Sequence, residues 1–261
     1  MTASTAQASL LQNALREMAA EGRDVVAAPP FTAYLDRSND LRYLNYAVPD
    51  EGATGPWDPR AIAALAAAFT ERGRLPRLEI VDDCWPGLVD ALVPAGFQVE
   101  GRLAGMTCEP ADLRDAPAPP DVTVAAEGPD ATDEQIRARI EAQHAAFADV
   151  AARTPVTAED IARARGRSGG SVAAWGSDGA CVGAASWVGV RAGVSEIAGV
   201  GVIEARRGRG IAGALTAAAT RCAFEAGADL AFLTPGGDGA ERVYARAGFR
   251  ERVRCVHIAL G

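Results

Sequence analysis

The chain has 261 residues, enough for one large domain or two of ordinary size. With 49% hydrophobic and 23% charged residues it is not a disordered chain, and a net charge of −8 makes nucleic acid and anionic membranes poor partners. All 26 Lys/Arg positions are arginine, which excludes a phosphate-loop lysine, a Schiff-base lysine and pyridoxal phosphate enzymology.

The first residues, Met1 to Gln7, have neither the basic flank nor the apolar centre of a secretory signal. The longest apolar run, Ala61 to Phe69, is far too short to span a bilayer. A cytoplasmic location without membrane association is therefore expected. Leu10, Leu11, Leu15 and Met18 recur at helical spacing and predict a docking helix over Ser9 to Ala20. An alanine-rich helix follows over Ala61 to Arg72, then an apolar strand from Leu78 to Val81, then Ala95-Gly96-Phe97 leading into a further strand.

Asp115 to Asp121, Asp-Ala-Pro-Ala-Pro-Pro-Asp, cannot continue a helix and reads as an extended linker. It divides a first lobe, 1–115, from a second, 121–261. In the second, Val122 to Ala126 is a strand and Thr132 to Val150 a helix. Thr157-Ala158-Glu159-Asp160 caps another helix. Ser171 to Trp175 and Ala180 to Val190 are strands joined by the turn Gly176-Ser177-Asp178-Gly179. Gly193 to Ile203 is a strand, Ile211 to Glu225 a helix ended by Gly227, and Leu230 to Leu233 a strand. A short helix, Ala240 to Ala247, precedes the final extended stretch, Phe249 to Leu260. The result is a mixed α/β sheet, mostly antiparallel and flanked by helices.

The two lobes repeat. At a shift of 152 positions Ala95-Gly96-Phe97 falls on Ala247-Gly248-Phe249, Leu78 to Val81 on Leu230 to Leu233, and the first alanine-rich helix on Gly213 to Phe224. The chemistry does not repeat: the first copy has Trp57-Asp58-Pro59-Arg60 before its helix and Leu92 in the place of Tyr244.

The five cysteines (Cys84, Cys108, Cys181, Cys222, Cys255) are odd in number with no C-x-x-C pair, and read as buried free thiols. His144 and His257 form no local metal motif, and no metal is expected. Trp175 and Trp187 read as packing residues.

Val200 to Gly213, Val-Gly-Val-Ile-Glu-Ala-Arg-Arg-Gly-Arg-Gly-Ile-Ala-Gly, joins a strand, a basic glycine-rich turn and a helix start. Glycines let backbone N–H groups approach a ligand, and a helix N-terminus favours anions, so the segment suits phosphate. Arg206, Arg207 and Arg209 would add charge around it. Gly208, Gly210 and Gly213 also satisfy the dinucleotide pattern G-x-G-x-x-G, but a nicotinamide-binding fold begins with this unit, and here several elements precede it.

Arg207-Gly208-Arg209-Gly210-Ile211-Ala212 resembles the R/Q-x-x-G-x-G/A motif of the GNAT superfamily of N-acetyltransferases, and Ala240 to Phe249 resembles that family's A-x-x-x-Y-x-x-x-G-F segment. The resemblance covers essentially all of 121–261, and the first lobe looks like a degenerate copy. It implies a GNAT-like fold, duplicated, that moves an acetyl group from acetyl-CoA as co-substrate to a primary amine of a small molecule or peptide by direct attack. Val200, Gly201 and Val202 would offer backbone groups to the pantetheine arm and thioester. Arg207, Gly208, Arg209, Gly210, Ile211, Ala212 and Gly213 would hold the diphosphate. Tyr244 would donate a proton to the leaving thiolate. Many relatives carry Asn seven residues before that tyrosine; Gly237 stands there in this chain.

Glu196 alternates with Ala198 and Val200, which puts it on their strand face as the candidate base or amine-binding carboxylate. A solvated glutamate with a water chain as base is the competing reading. A catalytically silent acyl-CoA-binding or regulatory module is the alternative function, and whether the chain forms a homodimer is left open.

Overall fold

The computed structural model describes residues 3–37, 40–147 and 155–261. The chain forms two compact units. The first takes the chain up to Met106 with Thr234–Gly236 and Glu251–Gly261; the second takes Thr107–Leu233 and Gly237–Arg250.

In the first unit, helix α1 (Ala3–Ala20) buries Leu11, Ala14 and Met18, while Leu10, one of the four residues of the predicted stripe, lies exposed. The buried Gln12 side chain accepts a hydrogen bond from Val81 N–H (2.8 Å), which docks the helix. Strands β1 (Arg23–Ala28), β2 (Phe31–Asp36) and β3 (Tyr46–Pro49) form an antiparallel meander. Helix α2 (Pro59–Thr70) leads to β4 (Arg77–Val81), parallel to β3; α3 (Leu88–Leu92) and β5 (Phe97–Cys108) follow. The last strand of the chain, which is β11 in chain order (Arg250–Leu260), lies between β4 and β5. It runs antiparallel to β4, with Val256 opposite Ile80 and Ile258 opposite Leu78. These four residues join Ile62, Leu65, Phe69, Leu88, Leu92 and Phe97 in one core under α2 and α3. The other face of β4 carries Arg77, whose buried guanidinium donates to Glu100 (2.6 Å) and to Glu79.

The second unit has the sheet order β6-β7-β8-β9-β10. Its strands are β6 (Val122–Ala126), β7 (Gly169–Gly176), β8 (Cys181–Val188), β9 (Val194–Val202) and β10 (Leu230–Leu233). Pairing is antiparallel from β6 to β9 and parallel between β9 and β10. Helix α6 (Ile211–Glu225) makes that crossover, as parallel pairing requires. Helices α4 (Asp133–Ala146) and α5 (Ala158–Gly166) start at Thr132 and Thr157, each closing a capping box with the residue three positions on. The predicted end of the first, Val150, lies outside the described residues. Helix α7 (Asp238–Arg246) starts two residues before its predicted Ala240.

The fold is mixed α/β with a mostly antiparallel sheet, as expected, and the repeat is carried by whole elements. At the 152-residue shift α2 falls on α6, β4 on β10, α3 on α7 and β5 on β11, while β2 and β3 fall on β8 and β9, and β1 overlaps only the end of β7. The compact units do not follow the expected lobes at every point: 107–115 packs with the second unit, and 234–236 and 251–261 with the first. The reason is tertiary. Val256 and Ile258 complete the core beneath β4, and nothing local in an alternating strand says which sheet it will join.

Candidate active site

The site elements all belong to the second unit. Strand β9 pairs with β8 from Ile197–Trp187 to Val202–Gly183, and with β10 from Val194–Leu230 to Glu196–Phe232. Beyond Glu196 the β9–β10 ladder ends, one residue before β10 itself stops at Leu233, and the β10-facing edge of Val200, Gly201 and Val202 lies outside that ladder. The β8–β9 ladder carries a bulge in this same stretch. Three residues of β8 (Ala184 to Ser186) face four of β9 (Ala198 to Gly201), and Gly199 takes φ +61°.

The bulge corrects the face assigned to Glu196. Opposed residues share a face, so Glu196, Ala198 and Gly201 lie together, while Val200 turns to the opposite face with Ile197 and Val202. Strict alternation fails at the inserted residue. The face of Glu196 is the one beneath α4: a side chain on buried Gly201 would meet Ala146 Cβ at 2.7 Å and Phe147 at 3.0 Å. On the opposite face, a side chain on Gly183 would come within 3.2 Å of Leu215 of α6.

After β9, the turn Ile203 to Gly210 leads into α6. Gly208 (φ +73°) and Gly210 (φ +86°) occupy the left-handed region, and Gly210 is the N-cap, with no side chain to satisfy the helix. Intrahelical bonding begins at Ala214 N–H, which donates to Gly210 C=O (3.1 Å). The N–H groups of Ile211, Ala212 and Gly213 thus have no acceptor in the helix, and nothing lies within 4 Å of where a Cβ would stand on Gly208 or Gly210. A diphosphate fits this cradle: several donors converge, the helix dipole favours negative charge, and the backbone is approachable. Gly213 faces the linker, with Ala116 Cβ 3.6 Å from its would-be side chain.

The three arginines are engaged rather than free. Arg209 grips Asp121 with both Nη atoms (3.1 and 2.6 Å), and Arg206 reaches the same carboxylate at 3.0 Å. The hydrogen bonds from Arg209, together with its charge and that of Arg206, hold the Asp121 carboxyl below its usual pKa. Arg207 donates from Nε to Val202 C=O (3.1 Å) and from Nη2 to Ala146 C=O (2.9 Å), tying the end of β9 to α4. Asp121, read in the sequence only as the linker's end, is thus the anchor of the turn. Its partners are too distant along the chain for any local pattern to show this.

Tyr244 lies on α7, buried, with its ring against Phe249 (centroids 6.4 Å apart). Burial raises its pKa, so the hydroxyl keeps its proton at neutral pH. Gly237 is the N-cap of α7 at φ +151°, ψ 172°, a glycine-only conformation, and Asp238 and Glu241 place charge in the first turn. The helix is thus held without an asparagine side chain. Burial pushes the Cys84 thiol up to about 11 and that of Cys108 to about 12, and raises Cys181 and Cys222; none of these four is a thiolate nucleophile at neutral pH.

Comparison with known proteins follows this geometry. The model of the acetyltransferase (GNAT) family matches residues 136–249. A solved GCN5-related N-acetyltransferase from Kribbella flavida is 32% identical over 97% of this chain and 95% of that one, with a TM-score of 0.78. The chain belongs to the GCN5-related N-acetyltransferase (GNAT) family. Two further structures share the fold. One is a GCN5-related N-acetyltransferase from Sphaerobacter thermophilus (20% identity, 98% and 91% coverage, TM-score 0.65). The other is a tandem GNAT protein from the clavulanic acid biosynthesis pathway (16%, 88% and 78%, 0.59). No curated protein matches the chain.

Membership makes this an acetyltransferase fold and disposes of the nicotinamide reading: β9 runs between an antiparallel and a parallel neighbour, not within a doubly wound parallel sheet. Among the described residues, no helix is long and apolar enough to cross a membrane.

Proposed function

We propose that the chain is an N-acetyltransferase that takes acetyl-CoA as co-substrate and acetylates a primary amine of a small molecule or peptide. The observation that carries this is the continuity of strand β9, beyond the end of its ladder with β10, with an uncapped helix N-terminus: an acyl-pantetheine arm has a strand edge, and its diphosphate a donor cradle, within one segment. Val200, Gly201 and Val202 offer backbone groups to the arm. Gly208 and Gly210, with the N–H groups of Ile211, Ala212 and Gly213, hold the diphosphate, and Arg207 and Arg209 shape the turn.

The chemistry is a direct displacement. The amine nitrogen bonds to the acetyl carbon, the carbon–sulfur bond breaks, and Tyr244 supplies the proton that the leaving sulfur takes. The amine's own proton passes to Glu196 or to a water chain. Much of the rate comes from holding the two reactants together. The first unit is a degenerate copy of the same fold that serves as scaffold.

The test is thiol release from acetyl-CoA in the presence of a panel of primary amines: amino acids, polyamines, aminoglycosides and peptide N-termini. Release that depends on one amine supports the reading. Coenzyme A binding without release from any amine would favour a silent acyl-CoA-binding module, and no coenzyme A binding at all would remove the assignment.

A further inference from the structure

The bulge in β9 is held from outside the strand. Gln143, half-buried on α4, donates from Nε2 to Gly199 C=O (3.0 Å). Its Oε1 accepts from Arg139 Nη1 (3.0 Å), and Arg139, buried on the same helix, donates from Nε to Glu127 (2.7 Å) just after β6. The order of this chain is dictated by chemistry. A guanidinium has donors only, so Gln143 must turn its amide oxygen toward Arg139, which leaves the amide nitrogen to face the bulge. Glu127 holds Arg139, Arg139 orients Gln143, and Gln143 holds one carbonyl of β9.

That carbonyl matters because of what lies across its peptide plane. The Gly199–Val200 peptide is planar and trans, so fixing Gly199 C=O toward α4 points Val200 N–H the opposite way, out of α4. Gly199, at φ +61°, sits where a glycine peptide could turn over at little cost. A side chain there would meet Gln143 Nε2 at 2.8 Å, so the glycine and the glutamine are matched. We infer that Glu127, Arg139 and Gln143 form a positioning relay that fixes Val200 N–H as the hydrogen-bond donor to the acyl carbonyl oxygen during transfer. This rests on the acetyl-CoA reading above and assigns to each of the three residues a role exerted through strand β9.

A fixed donor polarises the bound carbonyl and lowers barriers in which charge grows on that oxygen; losing one such donor costs about 10²–10³ in rate. The variants are Gln143→Met, which keeps the length but lacks the donor, and Gln143→Glu, which sets an acceptor against the Gly199 carbonyl. The direct readout is the isotope-edited infrared band of carbonyl-labelled acetyl-CoA bound to each protein, which needs no knowledge of the acceptor. In the native protein the band should move to lower frequency on binding; in both variants most of that shift should vanish, with coenzyme A affinity within about threefold of native. With whichever amine turns over, kcat should fall about 10-fold or more at unchanged KM for acetyl-CoA.

An unchanged band and unchanged kcat in folded variants would overturn the relay while leaving the acetyltransferase reading intact. A parallel loss of melting temperature, coenzyme A affinity and kcat would overturn it too, because a merely structural contact predicts that pattern. If the native protein binds no acetyl-CoA, both readings fall, and they do so before any variant is compared.

Discussion

Helix α6 carries a matched pair of glycines that separates ligand binding from stability. Gly210 at its N-terminus and Gly227 after its C-terminus both sit in the left-handed region (φ +86° and +95°), and neither has an atom within 4 Å of a would-be Cβ. Alanine at either position therefore meets no clash and costs only the backbone strain, about 1–2 kcal/mol. Gly210→Ala and Gly227→Ala should each lower the melting temperature by roughly 2–8 °C at this chain size. The ends differ in what the strain holds. At Gly227 it holds a C-terminal cap in which Gly227 and Ala228 N–H reach Phe224 and Ala223 C=O, remote from any donor offered to a ligand. At Gly210 it aims the N–H groups of Ile211 to Gly213. Coenzyme A must re-impose the strained turn on Gly210→Ala, so up to the same energy, about 5- to 30-fold in Kd, should appear in calorimetry for that variant alone. Pantetheine, which lacks the diphosphate, should bind both variants equally. Equal coenzyme A affinities for the two variants would refute the cradle.

Tyr244→Phe keeps the packing against Phe249 and removes only the hydroxyl; kcat should drop about 10²–10⁴-fold while coenzyme A affinity holds. Since the acid must be protonated and burial raises its pKa, native kcat should decline only as pH climbs past the ordinary tyrosine value of 10; a decline centred well below that would assign the proton to another group. Arg77→Met should cost the first unit about 3–5 kcal/mol in denaturant titration, because Glu79 and Glu100 lose the guanidinium that neutralises them. For Glu100, burial alone would raise the pKa, yet Arg77 and Arg42 hold it lowered; its stabilisation is present above the unfolded value and lost as pH falls through the folded one, and that acid loss should shrink in Arg77→Met. Titration of the native chain should give one coenzyme A per chain, not two.

What was legible in the sequence was what is local. Thr132 and Thr157 begin helices because each caps its own first turn, and Ile211–Glu225 and Leu230–Leu233 fall where periodicity and Gly227 place them. The glycines of the α6 turn were readable because left-handed backbone leaves few other choices. The groups that order the site were not. Asp121 lies 85 residues from Arg206, and Gln143 lies 56 from the Gly199 carbonyl it holds. No spacing rule links such pairs; only the packed sheet brings them together. The alternation that joins Glu196 to Ala198 holds and its extension to Val200 fails for a related reason, since one inserted residue at Gly199 breaks it.

The repeat explains why two copies of one fold should offer a single cradle. At the 152-residue shift Gly210 becomes Asp58, Ile211 becomes Pro59 and Gly208 becomes Pro56. Asp58 caps α2 itself, its carboxylate accepting from Arg60 N–H at 2.8 Å, and Pro59 has no N–H to give. The first helix N-terminus is thus satisfied internally and carries a negative charge where the second offers bare donors, so a diphosphate would meet repulsion in place of attraction. Tyr244 becomes Leu92, fully buried in the core beneath β4, which leaves no hydroxyl at that place. These changes favour a self-sufficient helix and a tighter core at the expense of ligand contact. On the proposed reading, the first copy keeps the sheet and its packing and offers no anion site of this kind.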